Sequence, residues 1–336
     1  MATRAGQGGQ GDGGQGDGGQ GHGGQGHGQA PEGLTHLGAR SWGAVLKRTI
    51  REFKEDNLAD RAAALTYYGV LAIFPALLAL VSVFGVAGPS ATQPLIDNLG
   101  QLAPGPTRDV FTSAIQNLQK SKSSGGILFV VGMAVALWSA SGYVAAFMRA
   151  SNAIYDVEEG RPLWKKAPLR IGVTLVLVVL LAISALGVVV TGALADQVGK
   201  LLGVEETAVT VWEIAKWPVL LVVISMMLAI LYWASPNVKQ PGFPWVSPGG
   251  ILAVVVWVVA SVAFAVYVAN FGSYNKTYGT VGGVIIFLVW LWLSNIAVLL
   301  GAEFNAELQR GRRIEAGQDP DKEPFLEPRD TRKMKT

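Results

Sequence analysis

The residues best placed to do chemistry are polar side chains inside, or just beyond, long apolar stretches. Residues 282–302 carry no charge, yet they include Asn295 and are followed at once by Glu303 and Asn305. At about 1.5 Å per residue this stretch is about 30 Å long, which is the thickness of a bilayer's hydrocarbon core. Polar groups at such depth are costly, so they indicate an ion or solute path, or bonds between helices.

Further candidates lie in or beside the other apolar stretches. Arg61 begins the first of them, and Pro75 near its centre removes a backbone hydrogen bond and predicts a kink. The remaining candidate functional residues are Trp138, Ser139, Ser141, Asn152, Asn237 and Tyr278. A polar path through a helical bundle would be lined by Ser139, Ser141, Asn295 and Glu303.

Depth along the last stretch separates its polar residues. Asn295 lies about 20 Å from Gly282 and stays in the hydrocarbon core, whereas Glu303 lies about 31 Å along and reaches the interface. For Asn295, a bond across helices is favoured over ligand binding. Arg61 is expected at the same interface as Glu303, so one hypothesis is an ion pair between them. The alternative is two separate charges in contact with headgroups and water.

Enzymatic chemistry is poorly supported by the residue types present. The chain has no cysteine, and its histidines, His22, His27 and His36, all precede the first apolar stretch. Phosphodiester hydrolysis needs a histidine base or a carboxylate cluster that holds metal. Asp156, Glu158 and Glu159 form a short acidic run beside basic residues that neutralise it. We therefore predict no catalytic residue, no metal site, no cofactor and no nucleic-acid partner.

Composition predicts the class of protein. Half of the 336 residues are hydrophobic and only 15% are charged, which is typical of a polytopic membrane protein. The sequence predicts an all-α fold with six transmembrane helices at about 62–86, 126–147, 169–194, 217–234, 251–270 and 282–302, within a membrane domain at 41–313.

The basic residues predict the orientation. They concentrate before the first span, between the second and third, and after the sixth, so the positive-inside rule makes that face cytoplasmic. Both termini are then cytoplasmic, in a multi-pass protein of a bacterial inner membrane.

The segments outside the spans are short or polar. A Gly/Gln-rich tail at 1–40 and a polar tail at 314–336 are predicted to be disordered. Residues 42–53 predict an amphipathic interfacial helix, either on an anionic lipid surface or packed as a soluble helix on a cytoplasmic loop. Val110, Phe111, Ala114, Ile115 and Leu118 share one helical face and predict a short external helix.

Several motifs in order resemble one family. They are RAAALTYYGVLAIFP from Arg61, LWSASGY from Leu137, NAIYDVEEGRP from Asn152, LYWASPN from Leu231, and YGT, WLW and GAEFNAEL between Tyr278 and Leu308. Together they resemble the YihY/BrkB family over about residues 42–313. The resemblance implies a six-span bacterial inner-membrane protein of a family once labelled ribonuclease BN, some members of which are linked to virulence and serum resistance.

Two functional classes follow from this sequence. The first is a transporter or envelope-lipid handling protein, and the second is a membrane scaffold or regulator that moves nothing. A ribonuclease is disfavoured by the position of the histidines. The lipid bilayer is the expected partner; substrate, coupling ion, oligomeric state and the role of the Gly/Gln-rich tail are not predicted.

Overall fold

A computed structural model describes residues 39–86, 125–189, 206–240, 242–243, 245–270 and 274–334. Their regular structure is helical, apart from one isolated bridge between Val238 and Pro328. Within these residues the helices are α1 (Ala39–Glu55), α2 (Leu58–Val86), α3 (Gly125–Ile154), α4 (Leu163–Val189), α5 (Glu206–Ala234), α6 (Pro248–Asn270) and α7 (Tyr274–Glu315). The N-terminal tail and the predicted external helix lie outside them.

Four segments of the described chain are long and apolar enough to cross a bilayer. They are Leu163–Ser184, Ile214–Ala234, Pro248–Asn270 and Gly282–Glu315. Most of their side chains point away from the protein interior, as expected for helices solvated by lipid. They correspond to four of the predicted spans, so the chain is a multi-pass helical membrane protein. The other two predicted spans lie in α2 and α3, whose side chains are only partly described, and the count of six stays a prediction.

Helix α7 holds the bundle together. Its most extensive packing is on α6, and it also packs on α2, α1 and α3. The core between these helices is filled by large apolar side chains, with Leu65 of α2, Phe147 of α3 and Leu299 of α7 fully buried. Deep burial concentrates in the second half of α7, from Ala297 to Leu308, which places the polar residues of that segment inside the protein.

Helix α1 packs on the second half of α7. Val45 is buried against Phe304 and Leu308, and Trp42 stacks on Phe304 with ring centroids 6.2 Å apart. Leu46 and Ile50, predicted on the same apolar face as Val45, are exposed. The helix therefore presents a second apolar strip away from the bundle, and its place at a membrane surface stays a prediction.

The C-terminal segment, residues 316–334, differs from the expected disordered tail. Helix α7 continues to Glu315, and the chain then turns back so that Phe325 and Leu326 are buried in the main core. Phe325 stacks on Tyr155, with ring centroids 5.6 Å apart. Prolines and mixed charges are typical of disorder, but here two adjacent apolar residues anchor the segment. We call the side of the bundle that it covers the tail face.

Candidate functional site on helix α7

The deepest polar contact joins three helices at Asn295. Tyr143 of α3 donates its hydroxyl hydrogen to Asn295 Oδ1 at 2.8 Å, and Asn295 Nδ2 donates to Thr66 Oγ1 of α2 at 3.1 Å. Thr66 in turn donates to the carbonyl of Ala62 at 2.8 Å. Asn295 is buried, and its oxygen and nitrogen both bond across helices, which is the arrangement that stabilises polar groups within a bundle.

The α3 residues predicted to line a polar path, Ser139 and Ser141, do not converge on Asn295. Ser141 is buried, but its hydroxyl donates to the carbonyl of Trp138 in its own helix at 2.6 Å. Ser139 is half-buried. The Trp138 side chain is 62% exposed, and the Arg170 guanidinium lies 4.5 Å from its ring centroid. Trp138 therefore belongs to the outer surface of the bundle.

Asn305 fixes the crossing of α6 and α7. Its Oδ1 accepts the backbone N–H of Gly249 at 2.8 Å, and its Nδ2 donates to Ser247 Oγ at 3.0 Å. One turn away, Gly249 and Gly301 meet so closely that a Cβ on either would overlap the carbonyl oxygen of the other. Asn305 thus satisfies the free N–H groups at the start of α6 where the two backbones touch.

Glu303 is the polar residue of this segment with the fewest hydrogen-bond and ion-pair partners. Its side chain is almost fully buried, with the residue 1% exposed, and Oε2 has no hydrogen-bond partner. Glu307, one turn later, is equally buried but pairs with Arg48 of α1 and with Arg310 at 3.4 Å. Within the described part of the chain no cation pairs with Glu303. A buried carboxylate without such partners is costly unless it holds a proton or a cation.

More acids surround Glu303 on the tail face. Asp56, Glu307, Glu52 and Asp156 all lie close enough to act on it electrostatically. Burial raises the pKa of Asp56 to about 6, against the opposing effect of Arg61. Arg61 itself donates Nε–H to the backbone carbonyl of Asp56 at 2.9 Å. The hypothesised ion pair between Arg61 and Glu303 is not formed in the described structure.

These acids do not form a metal site as they stand. Across the described ranges, no group of three or more His, Asp or Glu side chains is arranged to hold a metal ion. The acidic residues are instead interleaved with cations, as Arg310 also lies 3.0 Å from Glu323 and 3.8 Å from Glu52. Glu303 stands out because it is left out of this pairing.

A second polar cluster, the Asn237 clamp, ties three segments together. The backbone N–H of Asn237 donates to Asn152 Oδ1 at 2.8 Å, and its side-chain amide donates to the carbonyls of Glu158 at 3.1 Å and Asp330 at 2.9 Å. The clamp therefore joins the end of α3, the loop after α5 and the C-terminal segment.

Charged side chains complete the clamp. Arg161 is buried and donates Nε–H to Glu159 at 2.7 Å and Nη2–H to the carbonyl of Ser235 at 2.8 Å. Burial acts to raise the pKa of Glu159, but the hydrogen bonds from Arg161 outweigh it and lower that pKa. Lys165 lies 2.8 Å from Asp330. Within the acidic run, Glu159 is thus held in structural ion pairs.

For two of the predicted residues the structure gives the helix in which they lie, but it does not describe their side chains. Pro75 lies in α2, which continues through it to Val86, and Tyr278 lies in the first turns of α7. Sequence reasoning missed Thr66, Tyr143, Gly301 and Asp330. Thr66, Tyr143 and Gly301 stand inside the quoted motifs, so the motifs contained a signal. For Asp330 the sequence contained no such signal, because its segment has the composition of a disordered tail.

The fold and these clusters define a polytopic α-helical membrane protein. Residues 49–325 match the family model described as Virulence factor BrkB. The match covers most of the chain, so the protein belongs to the BrkB family, as the resemblance in its motifs indicated.

Curated relatives agree with this assignment. The chain is similar to the ribonuclease-like protein YfkH of Bacillus subtilis (strain 168), with 29% identity over 280 residues, 83% of this chain and 98% of that protein. It is 32% identical over 275 residues to a UPF0761 membrane protein of Alkalilimnicola ehrlichii, which covers 76% of this chain and 56% of that protein.

A third relative shows the same pattern. A UPF0761 membrane protein of Azoarcus sp. (strain BH72) is 29% identical over 266 residues, 76% of this chain and 61% of that protein. The chain thus spans only 56% and 61% of these two UPF0761 proteins. No solved structure matches the chain.

Proposed function

We propose that this protein is a transporter or lipid-handling protein of the bacterial cytoplasmic membrane, with Glu303 as the working group at its tail face. The observation that carries the proposal is the contrast on α7: Arg48 and Arg310 pair with Glu307, whereas Glu303 is buried and has no cation partner among the described residues. Unpaired ionisable groups in membrane proteins are costly and mark ion or substrate paths.

The proposal is tested in liposomes. Purified protein is reconstituted, and the movement of a fluorescent phospholipid between leaflets is measured alongside release of a trapped solute. The lipid or solute that copurifies with the protein defines the first substrate to try. Glu303→Gln should abolish movement while leaving the amount of folded protein unchanged. Glu158→Gln is the matched control, because it makes the same change on an exposed side chain.

A scaffold or regulator is the second candidate function. It is favoured by Asn295, whose amide oxygen and nitrogen both bond to neighbouring helices, as expected for a residue that holds helices together. Wild-type protein that moves neither lipid nor solute would support this candidate and contradict the first.

Ribonuclease activity is not part of the proposal, although YfkH is named ribonuclease-like. Glu159 of the acidic run pairs with Arg161 at 2.7 Å and Lys166 at 3.3 Å, so it is not available to bind a catalytic metal. We expect purified protein with Mg²⁺ to leave RNA intact. Cleavage that Glu159→Gln abolishes would reverse this expectation.

The orientation is proposed with both termini in the cytoplasm, so that the tail face is the inner mouth. Its support is the concentration of Lys and Arg in the segments that meet there. A reporter enzyme fused after Thr336 tests it, since activity confined to the outer side of the membrane would contradict this topology.

A further inference from the structure

The start of α4 carries three basic residues that differ in their ion-pair partners. Lys165 pairs with Asp330 at 2.8 Å, and Lys166 pairs with Glu159 at 3.3 Å. Arg170 has no carboxylate partner in the described residues. Its guanidinium lies 4.5 Å from the ring centroid of Trp138, and its Nε is buried without a hydrogen-bond partner.

The pair formed by Arg170 and Trp138 faces the lipid. Arg170 lies within the membrane segment Leu163–Ser184, about 10 Å along the helix from its start. Trp138 is 62% exposed, and Val135, one turn before it on α3, is also exposed. Arg170 itself is half-buried, so the cation lies at the surface of the bundle, near the end of α4 that meets the tail face.

A positive charge beside lipid is unfavourable without a counter-charge or a route to water, so an anion at this point would stabilise Arg170. The contact with the Trp138 ring favours the cation, but it does not neutralise the charge. A guanidinium has a planar fork of N–H donors that matches phosphate oxygens. Among the described residues, Arg170 Nε is buried without a partner, so the two Nη groups are the donors that a phosphate can reach.

We propose that Arg170 and Trp138 form a binding site for the phosphate of an anionic phospholipid in the leaflet on the tail face. The phosphate accepts hydrogen bonds from Arg170, Trp138 holds the guanidinium from the other side, and the acyl chains lie along the exposed apolar face that includes Val135. This site is separate from the surface of α1, and it does not depend on whether anything crosses the bundle.

The test measures lipid retention and lipid stabilisation. Protein in detergent is mixed with phosphatidylglycerol, with phosphatidylcholine or with inorganic phosphate. Bound lipid is counted by native mass spectrometry, and unfolding is followed by heating. Wild-type protein should retain phosphatidylglycerol preferentially and unfold at a higher temperature with it. Arg170→Gln should weaken that retention about tenfold, which corresponds to about 1.4 kcal/mol.

The matched control is Arg149→Gln. Arg149 is exposed and also lies over an aromatic ring, 5.6 Å from the centroid of Tyr68, so this variant removes the same charge from a similar setting. Arg149→Gln should keep most of the lipid preference. An equal loss in both variants would show general charge attraction, and equal protection by inorganic phosphate would show a free-anion site; either result overturns the proposal.

Two further variants keep the test decisive if Arg170→Gln does not fold. Arg170→Lys keeps the charge but removes the fork, so lipid retention should fall to an intermediate value. Trp138→Leu keeps the charge and an apolar surface but removes the ring, and it should also weaken retention. Retention at the wild-type level in both of these variants would rule the site out.

Discussion

Glu303 and Glu307 lie one turn apart on α7, and both are buried, but only Glu307 has partners. Arg48 and Arg310 pair with Glu307, whereas Oε2 of Glu303 bonds to nothing in the described structure. Two carboxylates of one helix thus have opposite roles. Glu307 joins α1 to α7, whereas Glu303 has no such structural contact among the described residues.

Replacing each acid by glutamine should separate these roles. Glu307→Gln leaves Arg48 and Arg310 without a buried counter-charge and should lower the free energy of unfolding by about 3 kcal/mol. Glu303→Gln removes an unsupported carboxylate and should not lower it. Thermal unfolding in detergent measures both. Equal destabilisation by the two variants would contradict the difference that we assign.

The hydrogen bonds of Asn295 should make a modest contribution to stability. Tyr143→Phe removes the donor to Asn295 Oδ1 and should cost about 0.6–1.7 kcal/mol, the range for such bonds between membrane helices. Tyr67→Phe is the control, because Tyr67 is exposed. Combining Tyr143→Phe with Asn295→Ala should cost less than the sum of the single changes. Additive losses would mean that the bond contributes nothing.

The crossing of α6 and α7 should not tolerate a methyl group. Gly301→Ala places a Cβ against the carbonyl of Gly249, and the resulting overlap should destabilise the protein by about 1–3 kcal/mol. Gly283→Ala in the same helix meets nothing within 4 Å and should be nearly neutral. The unfolding temperature and the yield of folded protein are the measurements. Comparable losses in the two variants would point to helix propensity rather than to the crossing.

The C-terminal segment should be released by a change outside it. A Cβ on Gly160 would overlap the carbonyl of Asp330, so Gly160→Ala should displace residues 330–331 from the Asn237 clamp. Limited proteolysis should then cut the segment after α7 faster than in the wild type. Gly172→Ala, with nothing within 4 Å, serves as the comparison. An unchanged rate of cleavage in Gly160→Ala would show that the clamp does not hold the segment.

The pH dependence of stability should include a contribution from Asp56. Burial raises its pKa from 3.8 to about 6, so the folded protein binds this proton more tightly than the unfolded chain. The stabilisation is therefore present at pH 4, is lost as the pH rises towards 6, and stays lost above that. Asp56→Asn should be more stable than wild type at pH 7.5.

That advantage should disappear near pH 4, where the wild-type carboxyl is protonated as well. Unfolding temperatures across this range, with Asp321→Asn as an exposed control, measure the effect. A constant difference between Asp56→Asn and wild type at all pH values would exclude titration of Asp56 as its cause.

Hydropathy predicted the four membrane segments found in the described residues, because the bilayer imposes length and composition on each helix separately. It missed the extension of α7 to Glu315, since the extra turns are polar and buried by protein rather than by lipid. The hydrogen-bond partners of Asn295 could not be predicted from the sequence either. Its burial follows from depth along one helix, but its bonds to Tyr143 and Thr66 depend on how α2 and α3 pack beside α7.

The sequence did not predict the ordered structure of the tail face. Residues 316–334 are rich in proline and charge, and no local pattern distinguishes them from a disordered tail. Their order comes from contacts distant in sequence, such as Arg329 Nη2 with the carbonyl of Trp233 at 2.7 Å. The acidic residues around Glu303 likewise come from α1, from α7 and from the turns that follow α1 and α3, and only the fold brings them together.

Helix α7 has 42 residues in one unbroken run, which makes it about 63 Å long, twice the thickness of the hydrocarbon core. Helix α6 packs along the apolar part of this helix, from the bonds of Trp257 with Ser294 and of Trp290 with Ser261 to the close contact of Gly249 with Gly301. Beyond Gly301 the helix continues for 14 residues, about 21 Å, in which Glu307 and Arg310 pair with α1 and with the C-terminal segment. One continuous helix therefore carries both the lipid-facing surface and the ion pairs of the tail face, so that a displacement of its apolar part along the helix axis would also displace those pairs.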